Sequence, residues 1–200
     1  GSNKLFGGSG DDRFVANGGN DTIVGGSGND LLDLSNATHG VTVDLSKHIV
    51  EGFGHDVVRG VESLIGTAFG DVIKGDKAAN SINAGAGNDV VRGFTGADVL
   101  TGGAGDDKFV WQLKDVVDGA WHSKGVDQIV DFGNGNDVLD LHKLFSGIKG
   151  DHASLVSLTD SAQGTDVSVT IGGHHVDVAM LDGVHGATVA ALVAGHDLLI

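Results

Sequence analysis

The sequence predicts an all-β protein in which short strands and glycine-rich turns alternate, and in which successive coils stack as parallel sheets. Three observations lead to this fold class. Nine-residue units recur along the chain, the eighth residue of each unit is large and apolar, and the sixth is nearly always aspartate. The composition alone also allows a flexible acidic linker, but a linker has no reason to place a large apolar residue at every ninth position.

The units form two runs. The first, residues 7–33, reads GGSGDDRFV, ANGGNDTIV and GGSGNDLLD, and the second, residues 66–110, reads GTAFGDVIK, GDKAANSIN, AGAGNDVVR, GFTGADVLT and GGAGDDKFV. The sixth positions are Asp12, Asp21, Asp30, Asp71, Asn80, Asp89, Asp98 and Asp107. The eighth positions are Phe14, Ile23, Leu32, Ile73, Ile82, Val91, Leu100 and Phe109. The register extends back to Asn3 and Leu5, and it places Glu62 and Leu64 one unit before Asp71.

The last three residues of each unit are predicted to form a short strand. Side chains alternate across a strand, so the eighth residue points to one side and its two neighbours point to the other. The apolar eighth positions therefore form a core. The first six residues must reverse the chain, and glycine permits the positive φ angles that such a turn needs. Two units then make one coil, with two strands facing each other across the buried row.

Stacking of the coils aligns the sixth positions in columns. Asp12 is expected over Asp30. Asp71, Asp89 and Asp107 are expected to form a column, and Glu62, Asn80 and Asp98 the column on the opposite edge. Carboxylates stacked about 5 Å apart repel each other unless a cation lies between them. Glycine loops also leave carbonyl groups that need partners. A hard cation with six or more oxygen ligands meets both needs, and calcium tolerates an irregular cage better than magnesium does.

Metal binding is expected to be coupled to folding. Each unit buries only one large side chain well, which cannot offset the entropy lost when nine residues are ordered. We therefore expect the repeats to be largely unfolded without metal and to fold when it binds. Extracellular calcium modules typically have a Kd of about 10⁻⁴–10⁻³ M.

Composition excludes some partners. The chain has 200 residues and a formal charge of −15, from 27 acidic and 12 basic residues, which argues against nucleic acid and anionic membranes as partners. No apolar run is long enough to span a bilayer, so we expect no membrane insertion. Cysteine and proline are absent. We expect a monomer, and the register that begins within a unit at Asn3 indicates a piece of a larger protein.

These units closely resemble the RTX family of bacterial type I secreted proteins. The resemblance implies a parallel β-roll that binds several Ca²⁺ ions. In that family, one loop supplies to each calcium the carbonyls of positions two and four and the sixth-position carboxylate. The next loop on the same edge supplies the carbonyls of positions one and three and its own sixth carboxylate.

Carried over to this sequence, the family pattern implies four sites. The first uses Gly8, Gly10, Asp12, Gly25, Ser27 and Asp30, and the second uses Gly85, Gly87, Asp89, Gly102, Ala104 and Asp107. The third uses Thr67, Phe69, Asp71, Ala84, Ala86 and Asp89. The fourth uses Asp76, Ala78, Asn80, Gly93, Thr95 and Asp98, and is expected to be weaker because Asn80 replaces aspartate. The predicted metal ligands also include Gly19, Asp21, Glu62 and Gly96.

The chain is divided into four segments. Residues 1–33 and 62–110 are the two blocks of repeats, and residues 34–61 are interpreted as longer, irregular coils of the same roll around VTVDL and GFGHDVV. The alternative for residues 34–61 is a linker between two separate rolls. Residues 111–200 are predicted to form a cap, with a β-hairpin over 166–181 and a short helix over 187–194.

The C-terminal sequence DLLI, residues 197–200, resembles the end of type I secretion signals. The resemblance therefore implies a calcium-binding C-terminal module that folds on export, with the type I secretion machinery as its partner. The protein is expected outside the cell or on the bacterial cell surface. The alternative function is a surface-adhesion or polysaccharide-binding module, for which cell-surface polysaccharide would be the partner.

No catalytic residues are predicted, and we expect this chain not to be an enzyme. The pairs Asp11–Asp12 and Asp106–Asp107 could serve as catalytic carboxylates, but each recurs with the repeat, which favours a ligand role. His174 and His175 could bind a transition metal, although no third ligand stands at a suitable spacing. We interpret them as part of a solvated turn, and Trp111 and Trp121 as core residues of the cap.

Overall fold

The computed structural model describes residues 1–200 apart from Asn17, Phe53 and His196. Asn17 belongs to the predicted unit ANGGNDTIV and Phe53 to the predicted segment GFGHDVV, so these two positions of the predictions lie outside the described residues. The chain folds into two facing sheets of short strands. In chain order the strands are β1 Lys4–Ser9, β2 Arg13–Val15, β3 Thr22–Ser27, β4 Leu31–Asp33, β5 Thr42–Asp44, β6 Ile49–Glu51, β7 His55–Arg59, β8 Ser63–Ile65, β9 Val72–Lys74, β10 Ser81–Ala86, β11 Val90–Arg92, β12 Val99–Ala104, β13 Lys108–Gln112, β14 Asp127–Ile129, β15 Val138–Lys143, β16 Val156–Asp160, β17 Gly164–Ile171, β18 His174–Asp182 and β19 Leu198–Leu199.

Helices are short and few. The described residues contain the α-helices α1 Leu113–Val116 and α2 Val189–Gly195 and the 3-10 helices Leu45–Lys47 and Ala153–Leu155. No helix in the described part of the chain is both long and apolar enough to cross a bilayer.

Alternate strands of the repeat belong to opposite sheets. One sheet has the order β1-β3-β7-β6-β5-β9-β11-β13-β15-β19, and the other has the order β16-β17-β18-β14-β12-β10-β8-β4-β2. Within the repeats the strands pair in parallel and in the predicted register: Leu5 is opposite Ile23, and Ile82 is opposite Leu100. The predicted parallel β-roll is confirmed.

The core lies between the sheets. The eighth-position side chains are buried in it, from Phe14 at 8% exposure to Leu32, Ile73 and Val91 at 0%. The row continues beyond the repeats through Ile129 and Leu139, so the cap extends the same core.

Residues 34–61 form a meander rather than the expected longer coils. β5 pairs with β6 and β6 with β7, both antiparallel, and the three strands insert into the larger sheet. The reversal before β6 passes through His48, which has a φ of 62°. The meander does not separate two rolls, because β4 pairs directly with β8 across the insertion.

The C-terminal cap contains the predicted hairpin and helix. β17 and β18 pair antiparallel around Gly172 and Gly173, which both have positive φ angles. After α2 the chain returns to the larger sheet, where β19 pairs in parallel with β15 and the side chain of Leu198 is buried. The last residues of the chain are therefore part of the folded roll.

Candidate metal centre

The sixth-position side chains form two ladders, one along each edge of the roll. In each ladder a carboxylate oxygen accepts a hydrogen bond from the backbone N–H of the sixth residue in the preceding coil. Along one edge these N–H to oxygen pairs are Asp12 to Asp30 (2.9 Å), Asp30 to Glu62 (3.0 Å), Asn80 to Asp98 (2.8 Å) and Asp98 to Asp127 (3.1 Å). The weaker contact of the Asn80 amide with the Glu62 carbonyl (3.4 Å) joins the two halves of this ladder.

The second ladder runs along the opposite edge. Its pairs are Asn3 to Asp21 (2.8 Å), Asp21 to Asp56 (2.7 Å), Val41 to Asp71 (2.8 Å), Asp71 to Asp89 (2.7 Å), Asp89 to Asp107 (2.9 Å) and Asp107 to Asp137 (3.0 Å). The meander interrupts it between Asp56 and Val41. Both ladders contain the columns that the repeat spacing predicts, and both continue past them.

The second carboxylate oxygen is the metal-binding feature. Five buried carboxylate oxygens in the described part of the chain have no hydrogen-bond partner, namely the Oδ2 atoms of Asp12, Asp30, Asp89, Asp98 and Asp107. A buried acceptor without a partner costs about 1–3 kcal/mol, and a charged one costs more. The fold therefore needs cations at these oxygens.

Glycine at the first position leaves space for four of these oxygens, and the exception is Asp89, whose unit begins with Ala84. A Cβ atom added to Gly7 would overlap Asp12 Oδ2, and one added to Gly25 would overlap Asp30 Oδ2. The carbonyl of the next loop faces the same point, since the Cβ of Gly7 would also meet Gly25 O and that of Gly25 would meet Gly60 O. A carboxylate oxygen and a carbonyl of the following loop thus converge beside a residue that has no side chain.

Electrostatic repulsion along the ladders supports the same conclusion. The pKa of Asp89 is raised to about 7, mainly by burial; the hydrogen bond from Asp71 N opposes this rise, and the charges of Asp107 and Asp71 add to it. Burial is also the main reason why the pKa of Asp98 and of Asp107 is raised to about 6. Without a cation, these carboxylates hold protons more strongly than an ordinary aspartate.

The predicted first and second sites have the full arrangement. In the first, Gly8 and Ser9 pair with Gly26 and Ser27, and the Ser27 carbonyl accepts the N–H of Gly10 at 2.8 Å. In the second, Ala104 O accepts the N–H of Gly87 at 2.7 Å, while the register places Gly85 beside Gly103. A carbonyl oxygen has two lone pairs, so these backbone bonds leave room for a metal.

The predicted third site is satisfied in part by hydrogen bonds. Thr67 donates its N–H to Asp71 Oδ2 at 2.7 Å and its hydroxyl to Asp71 Oδ1 at 3.0 Å. The Thr67 hydroxyl also lies 3.1 Å from Phe69 O, and Ala86 N donates to Thr67 O at 3.0 Å. The loops are stacked as expected, with Ala84 O near Gly66, but here Asp71 has no unpaired oxygen.

The predicted fourth site resembles the third. Asn80 Oδ1 accepts the N–H of Asp76 at 2.8 Å, and Thr95 N lies 3.3 Å from Asp76 O. The Gly93 carbonyl faces Gly75, and Ala78 O faces Gly96. Asp98 Oδ2 is unpaired and lies beside Gly93 of its own loop.

Three other predicted ligands also lie in stacked loops. Glu62 follows Asp30 in its ladder and lies near Gly60 O, as a residue that closes the Asp30 level should. Asp21 lies between Asn3 and Asp56, and Gly19 O faces Gly54 of the following loop.

The sequence interpretation missed a second row of side chains that accept hydrogen bonds from backbone N–H groups. Fifth-position side chains on the surface accept inter-coil hydrogen bonds: Asp11 from Asn29 N, Asn20 from His55 N, Asn88 from Asp106 N and Asp106 from Asn136 N. The signal was present, because the fifth position is aspartate or asparagine in most of the regular units. It also missed that Asp127 and Asp137 continue the ladders.

The donor set fits a hard cation. Among the described residues no cluster of three or more His, Cys, Asp or Glu side chains is arranged to hold a metal. The donors that each level of the ladders offers are two carboxylates together with backbone carbonyls. All of these donors are oxygen atoms, which calcium prefers. A bound calcium would supply the positive charge that the stacked carboxylates lack.

Trp121 was expected in the core of the cap, but it is only partly buried and packs against the core from its edge. Trp111 is buried and donates from Nε1 to Asp127 Oδ2 at 2.7 Å, whereas Trp121 is only partly buried. Trp121 stacks on His174 with ring centroids 4.5 Å apart and lines a surface pocket of about 500 Å³. Lys114 and Lys124 also line this pocket.

Comparison with known proteins identifies the repeats. The model of the RTX calcium-binding nonapeptide repeat, in four copies, matches residues 1–32, 65–93 and 75–109. No curated protein matches the chain.

Two solved structures are similar. The AlgE6R3 subunit of the Azotobacter vinelandii mannuronan C5-epimerase is 27% identical over 66% of this chain and 78% of its own, with a TM-score of 0.29. The extracellular lipase LipA of Serratia marcescens is 16% identical over 100% of this chain, with a TM-score of 0.34, and the match spans 38% of the lipase. The repeat matches cover residues 1–32 and 65–109, and these residues are folded into a β-roll.

Proposed function

We propose that the chain is a calcium-triggered folding module of a larger exported protein and that its C-terminus carries the type I secretion signal. The observation that supports this best is the set of five buried carboxylate oxygens without partners. Each makes the folded state unfavourable when calcium is scarce and favourable when calcium is abundant.

This dependence suits a protein that crosses a membrane unfolded. Cytosolic calcium is far below the millimolar range in which extracellular calcium modules bind, so the chain would stay unfolded until it leaves the cell. The absence of cysteine and proline fits such a route, because neither disulfide formation nor slow prolyl isomerisation would delay folding outside.

The C-terminal strand is compatible with a signal that is read before folding. In the folded roll Leu198 is 2% exposed and lies opposite Leu139, so a transporter would reach residues 197–200 only while the chain is unfolded. The same docking means that deletion of these residues should also weaken the folded state.

The export proposal is tested by fusing residues 1–200, with and without residues 197–200, to a passenger in cells that carry a cognate type I system. Secretion should fall strongly on truncation. Leu139→Ala is the matched control, because it removes the buried partner of Leu198 and leaves the terminal residues unchanged. We expect normal secretion of this variant. Equal secretion of the truncated and full-length fusions would show that residues 197–200 are not the secretion signal and only form the last strand of the sheet.

The pocket beside Trp121 favours a second candidate function, which is polysaccharide binding. An indole ring held by His174 offers a flat face for a sugar ring, and two lysines on an otherwise acidic chain favour an acidic sugar. Tryptophan fluorescence of the calcium-saturated protein, titrated with neutral and acidic oligosaccharides, tests this candidate. A response that Trp121→Ala abolishes would support it, and the lack of any response would exclude it for the sugars used.

A further inference from the structure

The segment that follows the repeats contains one more loop of the same design. Residues 132–137 read FGNGND, with glycine at the second and fourth positions and aspartate at the sixth, and Leu139 stands at the eighth position. The spacing from Asp107 to Asp137 is not a multiple of nine, and the matched repeats end at residue 109.

The structure stacks this loop on the last repeat loop, residues 102–107. Asp107 N donates to Asp137 Oδ1 at 3.0 Å, and Phe109 is opposite Leu139 in the paired strands. On the surface Asn136 N donates to Asp106 Oδ1 at 3.1 Å, as the fifth positions of the regular repeats do. Loop 132–137 therefore takes the place of the next coil.

Asp107, on whose loop residues 132–137 are stacked, has an unpaired oxygen. At the levels of Asp12 and Asp30, the unpaired Oδ2 and a carbonyl of the following loop, Gly25 O and Gly60 O respectively, converge beside the first glycine of the loop. Asp107 Oδ2 has the same position beside Gly102, and Asp107 is 1% exposed. The loop that follows it in the ladder is 132–137, so the opening lies between these two loops.

Negative charge is concentrated here without a protein cation. Asp131 Oδ1 and Oδ2 accept the N–H groups of Gly102 (3.0 Å) and Gly103 (2.8 Å), which places a further carboxylate at the same loop. In the described part of the chain, no salt bridge involves Asp107, Asp131 or Asp137. The repulsion among these carboxylates needs a counter-ion from solution.

We propose that loop 132–137 closes an additional calcium site over Asp107, outside the nonapeptide repeats. Asp107 Oδ2 and carbonyl groups of the two loops would bind the ion, and Asp137 would supply the second carboxylate. The oxygens of Asp137 already accept N–H groups of Asp107 and of Gly133 (2.8 Å), but each has a second lone pair. The proposal rests on calcium binding by the repeats and extends it into the cap.

The site would connect the cap to the roll. Val138–Lys143 begins directly after Asp137, and β19 pairs with this strand. Calcium over Asp107 would therefore fix the strand on which the chain terminus docks.

A crystal structure of the calcium-loaded protein, with anomalous difference density collected at a wavelength where calcium scatters, tests the proposal directly. We expect a peak between Asp107 and loop 132–137 in addition to peaks at the Asp12–Asp30 and Asp89–Asp107 levels. Peaks at the repeat levels without one over Asp107 on the cap side would overturn the inference and leave the repeat sites intact. The absence of every peak at saturating calcium would instead contradict calcium binding as a whole.

Ion counting gives an independent test in solution. Asp137→Asn should bind one calcium fewer per chain than the unchanged protein after equilibrium dialysis. Asp140→Asn is the matched control, because it removes the same charge three residues further along the chain, at a residue of β15 that bonds to His142, and it should lose no ion. Circular dichroism at saturating calcium checks that both variants fold. If Asp137→Asn does not fold, the crystal structure of the unchanged protein decides.

Discussion

The two oxygens of a sixth-position carboxylate have different partners. Oδ1 accepts an N–H group of the preceding coil, and Oδ2 is left for a cation in the regular loops. Asparagine can take over the first contact but not the second, because its amide nitrogen is a donor. Asn80 makes neither contact: its Oδ1 accepts Asp76 N of its own loop, and its amide nitrogen donates to the Glu62 carbonyl of the preceding coil.

We predict that Asp89→Asn raises the midpoint of the calcium titration by at least roughly tenfold, because ligand charge sets calcium affinity. Asp89 has an unpaired oxygen and also accepts the Asp71 N–H group, so its loss affects two neighbouring levels. A calcium titration followed by circular dichroism measures the shift.

Asp106→Asn serves as the control for this variant. It removes the same charge from an exposed side chain whose contact with Asn136 N an asparagine keeps. The midpoint should change by less than about twofold, since surface charges contribute little. Equal shifts in the two variants would show that the register of the ladder is wrong.

At the scale of elements, an ion pair holds the end of the repeats to the first helix. Arg92 on β11 donates to Asp115 on α1 from Nε at 2.9 Å and from Nη2 at 2.7 Å, and the two side chains are 11% and 1% exposed. Phe94 lies under the guanidinium group at 3.9 Å. This contact does not involve calcium.

Arg92→Ala is expected to lower the free energy of unfolding by about 3–5 kcal/mol, because it leaves the Asp115 carboxylate buried without its cation. Denaturant unfolding at saturating calcium measures the change. Arg59→Ala, at an exposed residue of β7, should change the same quantity by less than about 0.5 kcal/mol. A similar small effect of both substitutions would contradict the role given to the ion pair.

The loops should also bind calcium in competition with protons. The folded pKa values of Asp89 (about 7) and Asp107 (about 6) lie above the value of about 3.9 for an unfolded aspartate. The calcium-free fold therefore loses stability as pH rises from about 4 to 7, while the deprotonated carboxylates become available to calcium.

We accordingly expect the calcium midpoint to fall when the pH is raised from about 5.5 to 7.5. The same titration repeated at the two pH values measures the shift, and Asp89→Asn should reduce it. An identical midpoint at both values would mean that the raised pKa values do not contribute to binding.

At the scale of the whole molecule, the repeat period was sufficient to predict the roll, its register and the columns of Asp12, Asp89 and Asp98. These features depend only on contacts between residues at a fixed spacing. The meander at 34–61 could not be predicted, because pairing of β5, β6 and β7 depends on two reversals that interrupt the period.

The irregular spacing after residue 107 also explains why the sequence analysis missed the last residues of the two ladders, Asp127 and Asp137. Asp127 and Asp137 follow Asp98 and Asp107 in space, although the chain between them is longer than one coil and includes α1. Similarly, the contact of Thr67 with Asp71 follows from a threonine where a regular loop has glycine, and only the structure shows that its N–H and hydroxyl both reach the carboxylate.

The account as a whole depends on calcium supplying the free energy that folds the roll. Far-ultraviolet circular dichroism of residues 1–200 in excess chelator, followed by a calcium titration, tests this claim most directly, with magnesium as the control. We expect a largely unfolded chain that gains β structure as calcium reaches the range of about 10⁻⁴–10⁻³ M, and a much weaker response to magnesium. A full β-sheet signal in excess chelator would contradict the account.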